Sequence, residues 1–468
     1  MTKLSFATAL LLGTAVFASA ADDLASAFKE GKLDGRLRAQ YFATDWDNNS
    51  AATGKGATDA IGMAIGGSLN YKTASLYGFS AAAGLYTTQN PGGWTEVSDG
   101  AGATTSKDLF SRDISRPTSA PVSTAYGKGY AVLAQAYLQY DIAKTKLKAG
   151  RMLMSNPWIS PNDTKMIPIA IEGFEALSND VPNTTIQIDY ADKIKERGMT
   201  YFANMADTGD TPDKIAAYYT THYGTAQGQH GDAPDVLSVG IKNKSIDSLE
   251  LQAWVMHWAD LVDEGILEAN YALEAGDAIV SFGGRYIKQN DKGAGAIILP
   301  KTNNYDGDQS VDTSLFALRT AVSYGAAKLT LATSHTSSDG DLIAPWRGFP
   351  TDGYTRSMTQ TDWNANTRAY KGQLDYDFNG LVSGLSSVLS YAYYDRDPSK
   401  KPYQSMTDRA YQNGDTHQTN LDVMYKLSGS WKGTEFKVRL MNQDNDKTAL
   451  YAKETSNREM RLEANYFF

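Results

Sequence analysis

Leu33-Asp34-Gly35-Arg36-Leu37-Arg38-Ala39-Gln40-Tyr41 places Leu33, Leu37, Ala39 and Tyr41 on one parity and Asp34, Arg36, Arg38 and Gln40 on the other. Successive side chains of a strand point to opposite faces, so this stretch is a strand with one apolar and one charged face. The chain ends on the same pattern, with Met460, Leu462, Ala464, Tyr466 and Phe468 alternating with Glu459, Arg461, Glu463 and Asn465. Between them, runs of roughly ten residues with this period recur, and helical periodicity is scarce. A soluble sandwich and a barrel with lipid outside share such alternation, so the connections must separate them.

Strand ends meet alternately at short and at long links, as the turns and external loops of a transmembrane β-barrel require. The short links are Thr73 to Ser75, Ala143 to Thr145, Asn179 to Pro182, Ser245 to Asp247, Ala275-Gly276, Gly325-Ala326, Asn379 to Ser383 and Gly429 to Gly433. The long ones include Gln89 to Gly129, Leu153 to Pro168, Asp192 to Asp235, Asn290 to Asp312, Ser337 to Asn366, Pro398 to Thr416 and Asp444 to Asn457. Asp45 to Asp59 and Leu261 to Gly265 complete that set. The runs between links number about 18, an even count that leaves both termini on the side of the short turns. Met199 to Ala206 reads as a strand but falls inside a long link and is assigned to it. Tyr71, Tyr77, Tyr140, Tyr190, Tyr271, Tyr286, Tyr391, Tyr393 and Tyr425 lie on the apolar parity near strand ends, where interfacial girdles belong. Phe468 is a terminal aromatic on the outward parity, the form of an outer-membrane assembly signal read by the barrel-assembly machinery.

The 468 residues carry 44 Lys+Arg against 53 Asp+Glu, a formal charge of −9 without a basic cluster, which excludes nucleic acid as a partner. Zero cysteines excludes a disulfide scaffold and any thiolate site. At the N-terminus, Lys3, the apolar stretch Leu4 to Phe17 and the small-residue site Ala18-Ser19-Ala20 make a signal peptide, cleaved after residue 20. Beyond it no apolar run spans a bilayer as a helix. The expected organisation is therefore a signal peptide over 1–20 and one all-β, antiparallel outer-membrane barrel over 21–468. Only Ala21 to Lys32 precedes the first strand, too little for a plug domain, which argues against an active transporter.

Three segments carry a resemblance. They are Gly35-Arg36-Leu37-Arg38-Ala39-Gln40-Tyr41-Phe42, then Leu147-Lys148-Ala149-Gly150-Arg151-Met152 leading into Pro161-Asn162-Asp163-Thr164-Lys165-Met166-Ile167-Pro168, and Gln373-Leu374-Asp375-Tyr376-Asp377-Phe378. In order and spacing the mature chain resembles the outer-membrane porin D (OprD) family of substrate-specific bacterial porins. The resemblance implies an 18-stranded pore in the outer membrane, monomeric or trimeric, with its third and seventh external loops folded inward. Here those loops are 153–168 and 337–366. The second and fourth links are long and divergent, so the substrate does not carry over.

A barrel of this size leaves a water-filled lumen, and selectivity then comes from constricting loops and charges aimed inward. Parity puts Arg36, Arg38, Lys146, Lys148, Arg285, Arg319, Lys437, Arg439 and Arg461 on the polar face. On closure, Arg36 and Arg38 of the first strand are expected beside Arg461 of the last, which neighbours Lys437 and Arg439. This basic strip would ease an anionic group along the wall. Alternatively the cations pair with Asp34, Glu435, Glu459 and Glu463 and only keep the lumen hydrated. Constriction candidates are Trp158, Asn162, Asp163 and Lys165, with Glu172 and Glu175 on the strand that follows, and Arg347, Asp352, Tyr354 and Arg356 from the seventh loop. Acids facing the strip would set a transverse field that orients a dipolar solute.

Enzymatic signals are weak. His222, His230, His257, His335 and His417 lack metalloprotease spacing, and no phosphate- or dinucleotide-binding loop appears. His257 and His335, near strand ends, leave open a hydrolase at the lipid edge. No cofactor is expected, though Asp306, Asp308 and Asp312, Asp339 and Asp341, and Asp444 and Asp446 offer hard oxygen donors for a loop-bound Ca2+. The functional expectation is a porin passing small polar solutes such as amino acids or small carboxylates across outer-membrane lipid. The competing reading is a surface or adhesion barrel that works through its long loops. A secreted carbohydrate-binding β-protein is a weaker third.

Overall fold

A computed structural model of the chain describes residues 21–47, 59–92, 96–97, 109–111, 129–205, 235–259, 261–292, 312–342, 353–359, 362–397, 414–446 and 455–468. The 1–20 segment, His222, His230, Asp306, Asp308, Arg347 and Asp352 lie outside the described residues. After a short helix α1 (Leu24–Lys29), nearly everything else described is strand, turn or link.

Among the described residues the sheet holds 20 strands. Two of them, Glu96–Val97 and Ala203–Asn204, are two-residue ribbons at the ends of longer strands. The other 18 form the wall. They are β1 (Lys32–Trp46), β2 (Ala60–Lys72), β3 (Phe79–Gln89), β4 (Tyr130–Ile142), β5 (Thr145–Met152) and β6 (Ala170–Ser178). Next come β7 (Thr184–Lys195), β8 (Val236–Ile246), β9 (Leu249–Trp258), β10 (Val262–Ala275), β11 (Ala278–Asp291) and β12 (Thr313–Tyr324). The circuit ends with β13 (Ala327–Thr336), β14 (Arg368–Asp377), β15 (Leu385–Asp395), β16 (Thr416–Lys426), β17 (Thr434–Asn445) and β18 (Thr455–Phe467). Each strand pairs antiparallel with the next, and β18 pairs with β1 from Asn457↔Trp46 to Phe467↔Arg36. Closure leaves no sheet edge, the condition for a sheet to sit in hydrocarbon.

The strands settle which face is which. Arg36 and Arg38 are 8% and 6% exposed while Leu37 between them is 59% exposed, so the charged row faces the interior and the apolar row faces out. The same holds around the circuit for Leu138, Leu267, Leu331 and Leu389. An apolar exterior this extensive needs a non-aqueous solvent. The main buried cluster lies inside the wall, where Met152, Met154, Trp158 and Ile159 meet Trp258, Val262, Ile266 and Leu315.

Link boundaries follow the expected order with local changes. The link near Leu261 is shorter than expected, because β10 starts at Val262 rather than after Gly265. The first turn runs on to Gly78, closed by the Leu76–Phe79 bridge. Of the segment Met199 to Ala206, the described residues contribute only Ala203–Asn204, which extends the rim of β7.

In the turn between β14 and β15, Gly384 has φ +82°, and a Cβ there would collide with the carbonyl oxygen of Lys426. The Lys426 N–H donates to the Gly384 carbonyl, so the contact also locks β16 to this turn. Gly384→Ala is expected to destabilise the barrel by about 1–2 kcal/mol or more, from the left-handed penalty and the collision together. A lower urea midpoint of the heat-modifiable folded band checks this; an unchanged midpoint would mean the turn relaxes freely.

Candidate functional site

The interior of the barrel is crossed by the connection from β5 to β6. Asp163, near its middle, accepts bonds from Arg36 and Arg38 of β1, with Arg36 Nη2 to Asp163 Oδ1 at 3.0 Å and Arg38 Nη1 to Asp163 Oδ1 at 2.9 Å. Arg38 also donates to the Lys165 carbonyl oxygen, and its Nη2 lies 3.0 Å from Glu463 Oε1 of β18. Lys165 Nζ stands 3.6 Å from the ring centroid of Phe42, which β1 also points inward. At its other end the connection bonds to distant strands. Asn156 Nδ2 donates to Asp189 Oδ2 of β7 at 2.9 Å and to Ser238 Oγ of β8 at 3.0 Å. Trp158 Nε1 donates to Glu264 Oε1 of β10 at 2.8 Å. β1 and β10 stand half a circuit apart in this wall, so the connection bridges the lumen. Asn162 turns it with φ +41°.

The described part of the connection between β13 and β14 also reaches inward. Two guanidinium groups approach the Tyr354 ring, with Arg285 Cζ 5.0 Å and Arg319 Cζ 4.5 Å from its centroid. Its hydroxyl donates to Asn270 Oδ1 at 3.4 Å, and burial pushes that hydroxyl well above the ordinary phenol range. Thr355 shares a 2.8 Å bond with Ser334, and Ser357 is bonded to Gln418 and to Tyr394. The Arg356 carbonyl accepts from Lys371 Nζ at 2.8 Å. Cation–π contacts of this kind contribute roughly 0.5–2 kcal/mol each, and they hold this segment against β11 and β12.

The predicted cations all lie on inward-facing rows, though the closing register differs from expectation. Arg461 stands opposite Phe42, with its Cζ 5.2 Å from the ring, and Arg38 stands opposite Asn465. Arg36 and Arg38 are therefore four or more residues nearer the turns than Arg461, instead of beside it. On its other side Arg461 does meet Arg439 directly, and Lys437 faces Glu463. Most of these cations have acid close by, while Arg319 Nη2 donates to Asn270 Oδ1 at 2.7 Å: Arg439 Nη2 lies 2.8 Å from Asp422 Oδ2, Arg461 bonds Glu459, and Lys148 Nζ lies 2.7 Å from Glu175 Oε1. On the far wall Arg285 Nε lies 2.6 Å from Glu268 Oε2, and Lys146 faces Asp141 near the turns.

Three constriction candidates are placed otherwise. Glu172 and Glu175 are three residues apart on one strand, so they cannot both face in. Glu175 does; Glu172 shares the row of Phe174, 37% exposed, and pairs on the outside with Arg151 at 2.9 Å and Lys193 at 3.2 Å. Trp158 is 2% exposed and acts as an anchor of its loop, with Glu264 as partner. Asp163 does not face the basic strip across a gap; it is ion-paired to the turn-side end of that strip. Phe42, Glu264 and Asp189 were not anticipated. Phe42 had a legible signal, since it interrupts the polar row Arg36, Arg38, Gln40, Thr44.

His257 Nδ1 lies 2.6 Å from Asp263 Oδ1 on the outer face, and among the described residues no hydroxyl nucleophile is bonded to that ring. Among the described residues no three metal-binding side chains gather. Asp341 instead accepts from the Ala365 N–H, and Asp312 from the Asp291 N–H.

A sequence model for outer membrane porins of the OprD family matches residues 27–468. No curated protein matches the chain. Among solved structures, OccAB3 of Acinetobacter baumannii superposes with a TM-score of 0.71 at 18% identity, covering 94% of this chain and 99% of that one. OccK8 (OprE) of Pseudomonas aeruginosa gives 0.71 at 16% identity, covering 94% and 99%. OpdK of the same organism, solved with vanillate, gives 0.67 at 15% identity, covering 93% and 98%. At these identities the structures show a shared fold.

Proposed function

This chain belongs to the OprD family of outer membrane porins, and from that premise we propose a passive diffusion channel for small polar solutes such as amino acids or small carboxylates. As a family member it is an integral outer-membrane barrel that contacts lipid and passes solutes, a channel rather than an enzyme. The finer reading is that the 153–169 connection and the 353–359 segment narrow the lumen, and that the cations of β1, β17 and β18 select what passes. The observation that carries it is the bridge from Asp163 on β1 to Trp158 on β10. A solute moving along the axis must pass that bridge. It then meets inward guanidinium groups on both sides, Arg439 and Arg461 on one wall and Arg285 and Arg319 on the other, which suits a carboxylate. The neighbour solved with vanillate is consistent with such a solute class.

For assembly, the Phe468 backbone exchanges hydrogen bonds with Gly35 at 2.9 and 3.1 Å, and its ring stacks on Tyr466. We assign this terminal pair to recognition by the barrel-assembly machinery.

The test is single-channel recording of the purified protein in a planar bilayer under a salt gradient, then with amino acids or dicarboxylates added. Stepwise openings that a solute blocks are expected. Silence from protein shown to be folded by heat-modifiable mobility would favour a surface or adhesion role for the long loops.

A further inference from the structure

Helix α1 stands at the turn end of β2, outside the channel, and the solute pathway does not use it. Asp23 caps it, accepting from the Ser26 N–H at 2.7 Å. Its contacts hold it in one place: the Ala21 N–H donates to the Ser75 carbonyl, the Ala74 N–H donates to the Ala27 carbonyl, and Ala27 is buried against Ala74. The Tyr71 hydroxyl donates to the Phe28 carbonyl, and Gly31 leaves no room for a Cβ beside the Tyr71 ring. Tyr71 is on the outward row of β2, in register with Leu33 of β1. The helix is therefore tied to the lipid side of the wall.

The helix is also amphipathic. Leu24 and Phe28, one turn apart on the same face, are 64% and 55% exposed. Ser26 and Lys29 occupy the opposite arc, with Glu30 at the C-cap. The exposed pair continues a surface already given to lipid, since Leu33, Tyr77 and Phe79 beside it are 60%, 81% and 57% exposed. Lys29, in the last turn of the helix, borders the patch, and a lysine stem of this kind lies on apolar surface while its ammonium group reaches phosphate.

We propose that α1 is an interfacial anchor, with the Leu24–Phe28 face seated in the phospholipid headgroup region of the leaflet on the turn side, and Lys29 directed to lipid phosphates. A surface helix with one apolar face and a charged opposite face takes this position. Rooted between β1 and the first turn, it fixes the depth of the strand on which the barrel closes.

The absence of cysteine from the chain makes the test clean. Single nitroxide labels are placed through Leu24→Cys, Phe28→Cys, Lys29→Cys and Leu37→Cys in the full-length barrel, in vesicles of phosphatidylethanolamine and phosphatidylglycerol. Collision rates with oxygen, which concentrates in lipid, and with a water-soluble nickel chelate are compared. Labels at 24, 28 and 37 should collide more with oxygen than with nickel, and the label at 29 should show the reverse. Nickel dominance at 24 and 28, with oxygen dominance kept at 37, overturns the anchor while leaving the membrane barrel intact. Exclusion of both reagents at 24 and 28 also overturns it, because protein would then cover the face. Nickel dominance at 37 would instead count against membrane insertion, on which the anchor rests.

Discussion

Asp163→Ala is expected to give a channel that flickers between its native conductance and a distinctly larger one. Asp163 is the acid shared by Arg36 and Arg38, whose side chains are 9% and 4% exposed. Arg38 keeps Glu463 at 3.0 Å after the change, so the charge left without its partner is chiefly Arg36. Removing one member of a fully buried pair costs about 3–5 kcal/mol. Asp163 is 38% exposed, and solvent screening lowers the penalty here to about 1–3 kcal/mol of loop docking. Each 1.4 kcal/mol is roughly tenfold in the ratio of docked to undocked loop, so the undocked state becomes visible in a recording. The loop should swing rather than unfold, because Asn156 and Trp158 still hold its other end to Asp189, Ser238 and Glu264. Asp163→Asn, which keeps an acceptor but not the charge, should show less flicker. Conductance and noise both unchanged from wild type in Asp163→Ala would mean that this loop does not limit the pore.

How far the sequence reaches depends on which interaction decides each feature. The wall was legible because a strand needs only a period of two and a place to turn, both local; Leu33 to Tyr41 and Met460 to Phe468 carry them openly. The face that turns inward followed from charge. Parity alone already separates Glu172 from Glu175, and the structure puts Glu172 outside with Arg151 and Lys193. The closing register was not legible. It depends on the shear accumulated around the whole circuit, a sum over every strand pair and bulge, including those at Gly84/Leu85 and Glu172/Gly173. That sum places Arg461 on Phe42 rather than beside Arg38. The loop anchors were hidden for a related reason. Trp158 and Glu264 are 106 residues apart, and Arg36 and Asp163 are 127 apart, so nothing near either residue announces the other.

Arg439→Ala combined with Arg461→Ala should shift the reversal potential strongly toward cation preference. The two face each other across β17 and β18. Each is paired, Arg439 with Asp422 at 2.8 Å and Arg461 with Glu459, so the native wall is close to neutral at this level. Deleting both cations therefore does more than weaken a strip of positive charge. It exposes two carboxylates to the lumen, and a wall that eased anions becomes one that repels them. The effect should be largest at low salt, since the screening length is about 10 Å at 0.1 M and shorter above it. Adding Asp422→Asn should restore part of the native reversal potential, because the wall then loses one of the two exposed charges. Arg461 also lies over Phe42, whose ring carries Lys165 of the crossing loop, so its loss could act through that loop instead. Arg439→Ala alone separates the two routes, since among the described residues no loop contact passes through its pair with Asp422. A selectivity shift without added flicker in that single variant assigns the effect to wall charge. An unchanged reversal potential in the double variant removes the strip from the selection of solutes and leaves the two loops to account for it.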